Sequence, residues 1–123
     1  MRSSDSHIEV FDDSTKLASE LDAAVMEVAC RLGRAKDNVI AGLARSAVPQ
    51  AQVVKMAMSM SARSADVVSD VEHLYRQLLV LEERVMRSRV KQVDRVAVTV
   101  ARALGYQLTR SVVVLTAVGE HRK

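Results

Sequence analysis

A chain of 123 residues is long enough for one compact domain, or for two very small units that share a core. Hydrophobic residues make up 49% and aromatics only 2%, so that core must be aliphatic, and four glycines with one proline leave few turns, which favours helices over a sandwich or barrel. The net charge of +3 is a mild bias toward polyanions, and the single cysteine, Cys30, excludes an internal disulfide and a metal site made of thiolates. A reducing, cytoplasmic setting is therefore expected, with no membrane span and no signal peptide in the acidic, serine-containing start.

Residues 1–6 read as a disordered lead. Ile8 and Val10 alternate with Glu9 and Phe11, a weak strand signal, before Asp12-Asp13-Ser14 offers the short oxygen acceptors of a helix N-cap. From there Leu17, Leu21, Ala24, Val25, Val28 and Leu32 follow helical spacing, and Gly33 is placed to stop that helix. Asp37 is the natural cap of a second helix whose buried face is Val39, Ile40, Leu43, Ala44 and Ala47. That helix is expected to end before Pro49, because the residue preceding proline avoids helical torsions.

The stretch from Val54 to Met60 alternates Val54, Met56, Met58 and Met60 with Lys55, Ala57 and Ser59. Period 2 suits a short strand with one buried, methionine-rich face, although Met and Ala are also good helix formers. Placing residue n beside residue n+50 aligns residues 8–22 with 58–72, pairing Ser14 with Ser64, Ser19 with Ser69 and Leu21 with Val71. The second helices match at an offset of 57, DNVIAGLAR at 37–45 against DRVAVTVAR at 94–102. A fixed offset is the mark of a duplicated supersecondary unit, here with seven extra residues around 82–91. The expected units are 7–48 and 52–105, the second closed by Leu104-Gly105, followed by a packing segment at 106–123 with Thr109 as a cap.

Strand, helix, turn and helix given twice would bury two strands by pairing them, so the expected fold is mostly α with a short two-stranded antiparallel ribbon from residues near 7–11 and 54–60. The K-x-A-x-S alternation at 55–59, the Ser64 cap and RLGRAKDNVIAGLA at 31–44 give the chain a resemblance to the ribbon-helix-helix DNA-binding family, in a tandem, pseudo-dimeric single-chain form. The resemblance implies double-stranded DNA as partner, read in the major groove by outward strand residues, with helix N-termini aimed at phosphates. It also implies an accessory role in plasmid or T-DNA processing and transfer, a virulence function, alongside other DNA-processing proteins. Mapped onto this chain, Lys55, Ala57 and Ser59 would face the bases. Arg34, Lys36, Arg63, Arg87, Arg89 and Lys91 would contact phosphate. A departure lies in the first strand, whose outward Asp5, His7, Glu9 and Phe11 would set carboxylates against the DNA backbone.

Arg84, Arg87, Arg89, Lys91 and Arg95 form the densest basic cluster, interrupted only by Asp94. Such a run is either a solvated helix face or a phosphate-binding surface. His7, His73 and His121 lack ligand spacing, Cys30 has no neighbouring base, and no glycine-rich phosphate loop is present, so neither metal, cofactor nor enzymatic activity is expected. The internal pseudo-twofold implies a monomer, and two further readings stay open: a transcriptional repressor, and a helical module without direct DNA binding that holds a protein through its methionine-rich stretch.

Overall fold

The computed structural model describes the backbone of residues 2–60 and 65–121 and the side chains of residues 14–60 and 67–114. Four helices account for nearly all of it: α1 (Arg2–Leu32), α2 (Asn38–Met60), α3 (Ala65–Met86) and α4 (Gln92–His121). Each helix packs on its neighbours in the chain, and α1 closes the ring against α4, while the diagonal pairs do not approach. The result is an up-down-up-down four-helix bundle, the arrangement that short connections between successive helices favour.

The sequence explains the bundle through one spacing. Ser14, Ala18, Leu21, Val25, Val28 and Leu32 are buried on α1, in alternating steps of four and three residues. The same steps place Ile40, Ala44, Ala47, Ala51, Val54 and Met58 on α2, and Val67, Val71, Leu74, Leu78, Leu81 and Val85 on α3. On α4 they give Val98, Ala101, Gly105, Leu108 and Val112. A 4-3 repeat keeps an apolar seam on one side of a helix over many turns, which long, nearly parallel neighbours require. The seams are complementary in size. Leucine and valine fill the middle of α1 and α3, whereas alanine and glycine fill the middle of α2 and α4. At Gly105 this brings α4 close to α3: an added Cβ would lie 3.4 Å from both Leu78 Cδ1 and Tyr75 Cδ1.

No strand is present among the described residues, and the two-stranded ribbon is overturned. Residues 54–60 are the end of α2, and α1 is described from Arg2 onward, so its backbone includes the residues read as a lead and a first strand. The side chains of Asp5, His7, Glu9 and Phe11, like Arg63 and Ser64, lie outside the described residues. Burial shows why period 2 misleads. Val54 and Met58 are buried as an i, i+4 pair, while Met56 is 63% and Met60 81% exposed. Only one methionine of the expected core face is in the core, because the seam from Ala47 and Ala51 continues through it at helical spacing.

Three helix boundaries also differ from expectation. Pro49 lies inside α2 on its exposed side, so the helix continues past it; the missing N–H leaves the core seam untouched. Gly105 sits in the interior of α4, and Thr109 is no cap, its hydroxyl donating to the Gly105 carbonyl at 2.8 Å. Ser14 is likewise no N-cap but a buried position of α1, with its Oγ unpartnered. Gly33 does follow the last residue of α1, as expected, and its N–H donates to the Ala29 carbonyl at 2.8 Å without a left-handed torsion.

The repeat also has a different register. Buried residues of α1 map onto those of α3 at an offset of 53 (Leu21 to Leu74, Leu32 to Val85), and those of α2 onto α4 at 54 (Ala51 to Gly105, Met58 to Val112). Both loops, 33–37 and 87–91, have five residues, and the expected seven-residue insertion shrinks to the single residue by which the two offsets differ.

Truncating Leu78→Ala at the α3–α4 contact should lower unfolding free energy by about 2–5 kcal/mol, read as a lower urea midpoint at unchanged helical circular dichroism. Ser14→Ala should leave the midpoint unchanged or raise it, by up to about 1 kcal/mol, since it removes a buried hydroxyl that has no partner.

Candidate nucleic-acid interface

Because α1 and α3 run in the same direction, their following loops share one end of the bundle. Residues of both loops line a single cleft of about 920 Å³: Arg34 and Lys36 from the first, Arg89 and Lys91 from the second, and Arg31 from the last turn of α1. Among the described residues none of the side chains of Arg34, Lys36, Arg89 and Lys91 has an ion-pair or hydrogen-bond partner, and all four residues are exposed.

Two acids, Asp37 and Asp94, line the same cleft, and each already has partners. Asp37 is the N-cap that the sequence indicates, its Oδ1 accepting from the backbone N–H groups of Val39 and Ile40 at 2.9 and 3.2 Å. Its Oδ2 faces Arg84 Nη2 of α3 at 3.6 Å. Asp94, in the first turn of α4, faces Arg31 Nη1 of α1 at 3.4 Å. Arg31 also donates to Glu27 at 2.8 Å. Those two hydrogen bonds, Glu27 first and Asp94 second, raise its pKa above an already high value, so it stays cationic at any working pH. The two inter-hairpin pairs are reciprocal: the end of α1 reaches the start of α4, and the end of α3 reaches the start of α2.

Two further arginines, Arg87 and Arg95, lie outside the lining of this cleft with their charges partly satisfied. Arg87 pairs with Glu83 at 2.9 Å within its own helix end. Arg95 is half-buried, and its Nη2 donates to the Ser88 carbonyl at 2.7 Å while its Nε is buried without an acceptor. A shallower cleft of about 490 Å³ lies between α2 and α3, lined by Val39, Leu43 and Val80 beside Arg84 and Arg87.

Of the nine residues singled out from the sequence, four come together in the larger cleft, Arg34, Lys36, Arg89 and Lys91, while Arg87 lines the smaller one between α2 and α3. Lys55, Ala57 and Ser59 do not join them. Lys55 lies 17 residues into α2, roughly 25 Å down the helix from these loops. Its amine pairs with Asp22 at 3.6 Å, Ser59 donates to the Met56 carbonyl at 2.9 Å, and Ala57 packs on the core from another side of the helix. They form no common reading face, since alternate residues point some 200° apart on a helix. Arg31 escaped the sequence reading because it sits inside an apolar helix; its position in the last turn, two residues before Gly33, was the available signal.

No aromatic side chain lines the cleft among the described residues. Tyr75 and Tyr106 instead pair across α3 and α4, with centroids 6.0 Å apart, and Arg110 lies 5.9 Å from the Tyr106 ring. Nor do the described residues contain a cluster of three His, Cys, Asp or Glu that could hold a metal ion, or a helix long and apolar enough to cross a membrane. The chain matches no protein-family model, no curated protein and no solved structure.

Proposed function

We propose that this bundle is a nucleic-acid-binding module that takes double-stranded DNA on its loop end. The observation that carries the reading is the set of four cations, Arg34, Lys36, Arg89 and Lys91, brought from two distant loops to one cleft without carboxylate partners. Uncompensated like charges at one end repel each other, and a polyanion relieves that repulsion while releasing its own counterions. With no ribbon to enter a groove and no aromatic to stack on bases, the contacts are to phosphate. They position the protein without reading sequence.

A second reading, a helical module that binds a protein, is favoured by Val93, Val96 and Val100, which make a half-exposed apolar stripe on the outer side of α4, and by the exposed Met56 and Met60. The two readings differ in what salt does. Phosphate contacts weaken linearly on a log-log scale, whereas burial of valines does not.

Fluorescence anisotropy with a labelled duplex should give a log-log salt slope of about −3 to −4, the value for four phosphate contacts. Replacing Arg34, Lys36, Arg89 and Lys91 together by Ala should bring the slope close to zero, while Lys55→Ala at the far end leaves it unchanged. Failure of the unmodified chain to bind any duplex at low salt sinks the proposal. Asp94→Asn removes the carboxylate facing Arg31 and should tighten binding roughly two- to fivefold at low salt, an effect that vanishes as salt screens the end.

A further inference from the structure

The loop-end cleft is built for more than a run of internal phosphates. This step rests on the DNA-binding reading above and narrows it. A phosphodiester carries one negative charge, and successive phosphates along a strand are spaced apart, which suits cations strung along a ridge or groove. Here Arg34, Lys36, Arg89 and Lys91 line one concavity instead, together with Arg31 and with Asp37 and Asp94, whose carboxylates already face Arg84 and Arg31. A terminal phosphomonoester, with about −1.5 to −2 charges and three acceptor oxygens on one phosphorus, is the better match for such a cluster. Arginine can bind it through paired N–H donors, and lysine as a point charge.

The floor adds a second, independent feature. Between the two loops the cleft is lined by Ala35 and Val90, partly buried aliphatic residues that pack on the core. Phosphates of an uninterrupted duplex would ride on the rim and leave this floor in water. A chain terminus can lower its last nucleoside into the cleft, whose volume of about 920 Å³ falls within the range of small-molecule sites. With no aromatic on that floor, the terminal base is held by shape and apolar contact, without selection by stacking.

We infer that the cleft seats a phosphomonoester terminus of a nucleic acid, the phosphate on the cations of both loops and the terminal nucleoside on Ala35 and Val90. The protein would then prefer DNA ends to closed duplex. A free mononucleotide presents the same chemistry, so the test must separate the two sources.

In a competition assay with the full chain, three competitors share one sequence: a duplex with open, 5′-phosphorylated ends, the same duplex with 5′-hydroxyl ends, and a version closed by hairpin loops at both ends. A nucleoside 5′-monophosphate forms the fourth arm. The phosphorylated open duplex should compete about tenfold better than the closed one, with the hydroxyl form between them. Val90→Glu, a change at a partly exposed loop residue, should erase the advantage of open ends while leaving helical circular dichroism intact. Equal competition by all three duplexes overturns the inference and leaves the DNA-binding reading standing. Competition by the monophosphate with no binding of any duplex overturns the DNA-binding reading, and assigns the cleft to a free nucleotide. Binding by none of the four overturns both.

Discussion

The constraint on which the rest of the molecule depends is the unbroken 4-3 seam of each helix. It decides the fold where local signals argue against it. Pro49 inside α2 costs on the order of 3 kcal/mol as an interior helix proline. Beyond it the seam buries Ala51, Val54 and Met58, and burying Val and Met side chains contributes roughly 1.5–3 kcal/mol each. Two such residues already offset the proline, and the ring faces solvent where it obstructs no neighbour. The same logic carries α4 through Gly105. A glycine in a helix interior costs about 1 kcal/mol, and here it lies in the seam against Leu78 and Tyr75, where an added Cβ would meet both at 3.4 Å, an ordinary packing distance.

Much of this was legible in the sequence, and the errors have a common cause. The helical faces of α1 and α3 and the Asp37 cap follow from spacing and cap chemistry. The repeat is visible too, but at offsets of 50 and 57 where the buried residues give 53 and 54. Each offset is wrong by three residues, in opposite directions. Three residues are close to one helical turn, so an amphipathic pattern shifted by three still overlays apolar on apolar, as Val28 on Leu78 does. The two slips together account for six of the seven residues of the expected insertion, and the offsets of 53 and 54 leave one. The ribbon failed for a related reason. Val54 and Met58 satisfy both period 2 and i, i+4, and only a neighbouring helix, known after folding, selects between them.

For the candidate site the legibility divides by location. Gly33 and the Asp37 cap mark the ends of the first loop, so Arg34 and Lys36 could be placed on it without knowing the fold, whereas Arg89 and Lys91 stood out only as members of a basic run. Lys55, Ala57 and Ser59 depended on a shared strand face, and on a helix that face does not exist. What sequence reasoning could not supply was that the loops meet. Residue 34 and residue 89 are 55 positions apart, and their proximity follows only from the parallel direction of α1 and α3 in the closed ring.

The ion pairs of the basic end follow from the same geometry. Arg31–Asp94 and Arg84–Asp37 are partly exposed pairs, at separations that make each worth little by itself. Their effect is on geometry: each ties the end of one hairpin's first helix to the start of the other's second, so the two loops are held side by side. Both acids are thereby occupied, which leaves the four loop cations uncompensated. Asp37 and Asp94 line the same cleft, but each faces an arginine of the helix ends and pairs with no loop cation. Charge left unneutralised on loops whose positions are set by core packing is a cost to the free protein, and it turns favourable when an anion enters the cleft.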